Sequence, residues 1–160
     1  MSQNTKISQS HPVLVPVDFS EHSEAALMFA SQLAECMACP LMVLHVVHDP
    51  GDAPGFYAGK QGTDQLKKME DVASEMMDDF LKRITMEHPD SANLKLAETM
   101  LLVGLPVTRI LEAVDKLQAR MVVMGSKGRT GLSHILLGSK AEQIVRLSPI
   151  PVTIVKVQEE

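Results

Sequence analysis

The chain has 160 residues, which suits one domain built around one core. Apolar residues make up 45% and charged residues 22%, the ordinary balance of a globular protein. A net charge of −5 argues against a surface that coats nucleic acid, no apolar run approaches the about 20 residues that span a bilayer, and two cysteines are too few for a disulfide scaffold.

Met1 to Ser10 is polar and has no apolar core, so it reads as a disordered tail and not as a signal peptide. The cytoplasm is the expected compartment, and residues 11–160 are expected to form the domain. Pro12 to Val17 is a short apolar run that predicts a buried strand. Asp18 or Ser20 can then cap a helix, with Glu21 and Glu24 well placed in its first turn. Ala25, Ala26, Phe29, Ala30, Leu33 and Met37 predict the apolar stripe of that helix, and Pro40 ends it. Leu41 to Val47 predicts a second buried strand. His48 to Thr63 holds glycines and prolines without periodicity and reads as a long loop. Asp64 to about Glu87 predicts an amphipathic helix with Leu66, Met69, Val72, Met76, Phe80, Leu81 and Ile84 on its apolar side. Leu94 to Leu102 reads as a strand. Pro106 opens a third helix through Leu117, Met121 to Met124 is a fourth strand, Ser139 to Leu147 is a helix, and Val152 to Val157 is the last strand. Regular alternation of strands and helices implies a mostly parallel sheet covered on both faces. Ligands in such sheets bind at the carboxyl ends of the strands, where the strand order reverses.

The segment Met121 to Ser139 carries the chemistry. A buried strand runs into Gly125, Gly128 follows, and Gly138-Ser139 opens a helix. Gly125 and Gly128 permit positive φ and close approach of backbone N–H groups to an oxyanion. Ser139 reads as the N-cap, with Glu142 completing a capping box. The helix N-terminus supplies unpaired N–H groups and partial positive charge, a setting that suits a triphosphate. Lys127, Arg129 and Lys140 add positive charge. Between Lys116 and Arg146 six basic residues face one acid, a local field that suits a small anionic ligand. The order Gly138-Ser139-Lys140 is not that of a Walker A loop, and no G-x-G-x-x-G follows the first strand. Glycines of this kind also occur for turn geometry alone.

The G-x2-G-x9-G-S pattern, followed by a helix and the Pro-flanked final strand SPIPVTIVKV, resembles the universal stress protein family. VPVDFSEHSEAAL, LMVLHVV and GLPVTRILEAV resemble the same family in order and spacing, from about His11 to Val157. The resemblance implies a flavodoxin-like, doubly wound α/β fold with a five-stranded parallel sheet in the order 3-2-1-4-5. It implies ATP binding, with Mg²⁺ offsetting the triphosphate charge. By resemblance, Pro16, Val17 and Asp18 face the adenosine and Val46 holds the adenine by backbone contacts. Met124, Gly125, Lys127, Gly128 and Arg129 line the ribose and phosphates, and Gly138, Ser139 and Lys140 take the phosphates. Asp18 has a rival reading as a plain helix cap. The last strand is an apolar edge guarded only by Lys156, and the family commonly dimerises by pairing this strand with its twofold mate. A homodimer through Val152 to Val157 is therefore expected, together with a protein partner that the residues do not identify. The implied role is a nucleotide-dependent stress or signalling protein. A slow ATPase or phosphoryl- or nucleotidyl-transferring enzyme, and an interaction module without nucleotide, are the alternatives.

Three other constellations yield to simpler readings. Cys36 and Cys39 form a C-x-x-C at the carboxyl end of the first helix, where the dipole disfavours a thiolate. With His45 and His48 they suggest a zinc site, but the spacing is short and His45 lies inside a strand. His134 lies in the glycine loop with no partner that would make it a general base.

Overall fold

A computed structural model describes residues 11–48, 63–129 and 137–157, without the side chains of 63–67. The N-terminal tail, the body of the loop after His48 and His134 lie outside the described residues. Among the described residues ten elements follow in order: β1 (Val13–Pro16), α1 (Glu21–Cys36), β2 (Leu41–Val47), α2 (Thr63–Glu87), α3 (Ala92–Lys95), β3 (Glu98–Val103), α4 (Pro106–Leu117), β4 (Met121–Gly125), α5 (Ser139–Leu147) and β5 (Val152–Val155).

The five strands form one parallel sheet in the order β3-β2-β1-β4-β5. The two central strands explain why. Val13, Leu14 and Val15 are wholly buried, as are Val43 and Leu44, so both faces of β1 and β2 need cover. Alternate residues serve opposite layers. Val13, Val15, Leu41 and Val43 pack with α1, α2 and Leu94 on one face. Leu14, Met42, Leu44 and Val46 pack with α4 and α5 on the other.

The helices turn their stripes differently from the simplest sequence reading. In α1 the buried residues are His22, Ser23, Ala26, Leu27, Ala30, Ser31 and Ala34, while Phe29 is exposed. The small side chains allow α1 to lie close to the sheet. The buried hydroxyls are satisfied within the helix: Ser23 Oγ donates to Ser20 O at 2.9 Å and Ser31 Oγ to Met28 O at 2.9 Å. Among the described side chains of α2 the buried residues are Ala73, Met77, Phe80 and Ile84, a clean i, i+4, i+7, i+11 stripe. Val72 is 54% exposed and Met76 is half-buried, one step off that stripe.

The third strand begins later than expected. Ser91 caps the short helix α3, accepting from Leu94 N–H at 3.4 Å, and Leu94 drops into the core from a helix. Strand pairing starts at Glu98. Helix α1 ends at Cys36 with Ala38 in a left-handed conformation (φ 48°) before Pro40. Cys39 N–H donates to Ala34 O at 3.0 Å, and its side chain packs against the core. Both cysteines are thus at the carboxyl end of α1, with Cys39 serving the helix stop.

Candidate functional site

Strands β1 and β4 pair only at Val13↔Met121 and Leu14↔Val122. Beyond that point β1 continues to Pro16 and β4 to Gly125, so a crevice opens between their carboxyl ends. It lies where the strand order reverses, the place where α/β sheets hold ligands. A cavity of about 460 Å³ beside His11, Gln118, Arg120 and Ile150 opens at the opposite, amino end of the strands.

Asp18 stands at the crevice. Its Oδ1 accepts from Ser20 N–H at 3.1 Å and from the Ser20 hydroxyl at 2.5 Å, and its Oδ2 accepts from Arg129 N–H at 2.9 Å. The carboxylate therefore ties the start of α1 to the glycine loop across 111 residues of sequence. Burial would raise its pKa, but hydrogen bonds from Ser20 and Arg129 outweigh burial and hold it below the ordinary value. Ser20 is the N-cap of α1, accepting from Ser23 N–H at 3.3 Å, so Asp18 braces the cap instead of forming it.

The glycines serve close approach. Among the described residues, Gly104 is the glycine with positive φ, so Gly125 and Gly128 do not use the left-handed freedom expected of them. A Cβ on Gly125 would meet the His22 carbonyl oxygen at 2.7 Å, where α1 crosses β4. A Cβ on Gly128 would meet Asp18 Oδ2 at 2.8 Å. Ser126 pins the mouth of the loop: its N–H donates to Val155 O at 2.9 Å and its carbonyl accepts from Gly138 N–H at 2.7 Å.

The start of α5 differs from the expected capping box. Gly138 is the N-cap and makes no side-chain cap bond, and Ser139 is the first helical residue. The Glu142 N–H bonds to the Gly138 carbonyl, so the helix is closed through the backbone. The first turn leaves its N–H groups at the carboxyl end of the sheet, where Ser139 is exposed. Lys140 is exposed there, and its Nζ lies 3.2 Å from His48 Nε2 at the end of β2.

Pro16, Val17, Asp18, Met124, Gly125, Lys127, Gly128, Arg129, Gly138, Ser139 and Lys140 all fall on the carboxyl ends of β1 and β4, the loop or the start of α5. The side chains of Val17, Val46 and Met124 are buried in the two cores, and Val46 lies on β2, on the other side of β1 from β4. Leu44 O accepts from Val17 N–H, and Val46, two residues on, directs its N–H and C=O to the same side. Sequence reasoning missed Ser126, Phe19 and the contact of His45, whose Nδ1 lies 2.7 Å from the Val17 carbonyl oxygen. Phe19 has φ 65°, a strained value for a bulky residue, and its ring lies 4.4 Å from that of His45. The signal for His45 was a lone polar residue inside LMVLHVV. Cys36, Cys39, His45 and His48 form no metal-holding group among the described residues.

The universal stress protein family profile matches residues 10–156 of this chain. The chain belongs to the universal stress protein family. Universal stress protein MJ0531 of Methanocaldococcus jannaschii is 29% identical over 144 residues, covering 90% of this chain and 81% of the relative. Universal stress protein MJ0577 of the same organism is 28% identical over 157 residues. The solved structure of MJ0577 superposes with a TM-score of 0.73, covering 95% of this chain and 99% of that one. A universal stress protein from Archaeoglobus fulgidus, solved in complex with dAMP, superposes with a TM-score of 0.61 at 25% identity, covering 91% of this chain and 98% of that one. The five-stranded parallel sheet in the order 3-2-1-4-5 is the fold that family membership implies.

Proposed function

We propose that this universal stress protein binds an adenine nucleotide, ATP with Mg²⁺, at the crevice between β1 and β4, and acts through its nucleotide state as a cytoplasmic stress or signalling protein. The observation that carries this reading is the start of α5. A helix N-terminus with no side-chain cap lies beside a loop of closely packed glycines and an exposed lysine. Lysine in a first helical turn opposes the helix dipole, and an anionic ligand offsets that cost. Val46 on β2, beside the end of β1, offers backbone groups that suit the edge of a base. The dAMP complex of the Archaeoglobus fulgidus protein supports the same ligand class.

In this reading Pro16, Val17, Asp18 and Val46 hold the adenosine. Met124, Gly125, Lys127, Gly128 and Arg129 line the ribose and phosphates, and Gly138, Ser139 and Lys140 bind the phosphates. Among the described residues no group of three His, Cys, Asp or Glu could hold an ion. The Mg²⁺ is accordingly proposed to ride on the phosphates.

Calorimetry tests the reading. ATP titrated into the purified protein with Mg²⁺ is expected to bind one per chain. Gly128→Val is expected to abolish binding, because its side chain collides with Asp18 Oδ2, and Ser139→Ala to weaken it several-fold. An unmodified protein that gives no heat with ATP, ADP or AMP, and carries no copurified nucleotide, sinks the proposal.

A further inference from the structure

The junction of β1 and β2 carries one irregularity that bears on the site. The strands run in register to Pro16↔Leu44, and Val17 N–H donates to Leu44 O at 2.8 Å. In a continued parallel ladder Val17 would stand opposite His45, and the next bond would run from Val46 N–H to Val17 C=O. That bond is not made. The imidazole of His45 takes its place, with Nδ1 2.7 Å from the Val17 carbonyl oxygen. A carbonyl only accepts, so Nδ1 carries the proton and the tautomer is set.

The ring is held on its other sides. Phe19 lies over it at 4.4 Å between centroids, tilted by 34°, and Phe80 of α2 meets Phe19 edge-on at 5.5 Å. The left-handed turn at Phe19 carries the chain from Asp18 into the α1 cap at Ser20. Burial lowers the pKa of His45 first. The Val17 carbonyl and the Asp18 carboxylate act against that, and the charges of Arg129 and Lys140 act with it, so the imidazole is neutral at pH 7.

We propose that His45 is a positioning residue for the base: by taking the Val17 carbonyl, it ends the β1–β2 ladder one bond early and leaves the Val46 N–H presented to an acceptor on a planar heteroaromatic ligand. The Val46 carbonyl, on the same side, accepts from an exocyclic amine. A neighbouring donor and acceptor match the ring nitrogen and amino group of adenine, so the proposal rests on the nucleotide reading and names the part of the chain that selects the base.

The test compares a ligand that has a base with one that has none. His45→Phe keeps the ring and its stacking but has no donor, so the Val46 N–H closes the ladder onto Val17. ATP affinity is expected to fall about tenfold, the worth of one or two hydrogen bonds, while inorganic tripolyphosphate binds as before. His45→Asn, whose Nδ2 stands where Nδ1 does, is expected to restore the preference for ATP. In the unmodified protein the Val46 amide should exchange quickly without ligand and slow on adding adenosine. If the unmodified protein binds ATP but His45→Phe leaves the ratio of ATP to tripolyphosphate affinity unchanged, the role of His45 is wrong and the nucleotide reading stands. If His45→Phe does not fold, the amide measurement decides: a Val46 amide already as protected as that of Leu44 without ligand overturns the proposal. If the unmodified protein binds neither ligand, the nucleotide reading fails and this one falls with it.

Discussion

At the scale of single residues, Asp18 does structural work whether or not a ligand is present. Its two oxygens accept from Ser20 and Arg129, joining the cap of α1 to the glycine loop. A single bond to a charged acceptor is worth about 1.5–3 kcal/mol, so Asp18→Ala is expected to cost at least about 2 kcal/mol in chemical denaturation at pH 7. The sign of its pH dependence follows from a native pKa below the ordinary 3.8. The stabilisation is complete above 3.8 and is lost as pH falls below that value towards the native pKa. The gap between wild type and Asp18→Ala should therefore narrow below pH 3.8, and a gap that stays constant from pH 7 to pH 3 would count against the carboxylate. His45 adds a second window. Its native pKa lies below the ordinary 6.5, so its contribution is complete above 6.5 and is lost as pH falls below it. These pairings were illegible in the sequence. Asp18 was visible as a cap or a ligand contact, but its bond to Arg129 spans 111 residues and depends on how the sheet brings β1 beside β4.

At the scale of elements, the helices show where periodicity stops being informative. In α2 the runs Val72-Ala73 and Met76-Met77 are apolar in adjacent pairs, so two stripes one residue apart fit the pattern almost equally. Packing chose the stripe that includes Ala73, because a small residue there lets the helix approach the sheet while Phe80 reaches Phe19. Met77 is 2% exposed and Val72 is 54% exposed. Met77→Ala is thus expected to cost about 2–5 kcal/mol, and Val72→Ala to stay within about 0.5 kcal/mol of wild type. Thermal or urea melts of the two variants check the phase, and equal losses would refute it. Leu94 teaches a related point. An apolar residue before a strand looks like part of the strand, but Ser91 caps a short helix first. The start of α5 shows the same local competition: Ser139 has the chemistry of a cap, yet Gly138 occupies that position because its N–H is tied to Ser126.

At the scale of the whole molecule, the two edges of the sheet are unlike. The edge strand β3 begins with exposed Glu98 and Thr99, whereas β5 is an apolar Val-Thr-Ile-Val with all four residues half-buried. Beside β5, the α5 residues Val145 and Leu147 are exposed. Unpaired apolar edges invite a second strand, which supports the proposed homodimer through β5. Val155 O accepts from Ser126 N–H and Pro151 O from Val122 N–H, so residues 151, 153 and 155 face β4. Ile154 then directs its N–H outward. Ile154→Pro is expected to give a monomer in sedimentation at micromolar concentration while keeping the sheet, since the donor it removes lies on the outer edge and the side chain it trims is half-buried at the margin of the α4 and α5 core. A monomeric wild type, or a dimeric Ile154→Pro, would refute the pairing. No helix among the described residues is long and apolar enough to cross a membrane. The sequence by itself determined the alternation of elements, the parallel sheet and the place of the glycine loop. Those follow from local causes: apolar runs of strand length, caps, and proline or glycine stops. The tertiary structure alone decided which face each helix buries, that Gly125 and Gly128 serve close contact and not positive φ, and that His45 replaces a ladder bond. Each of those depends on residues far apart in sequence meeting at fixed distances, and no local pattern encodes that meeting.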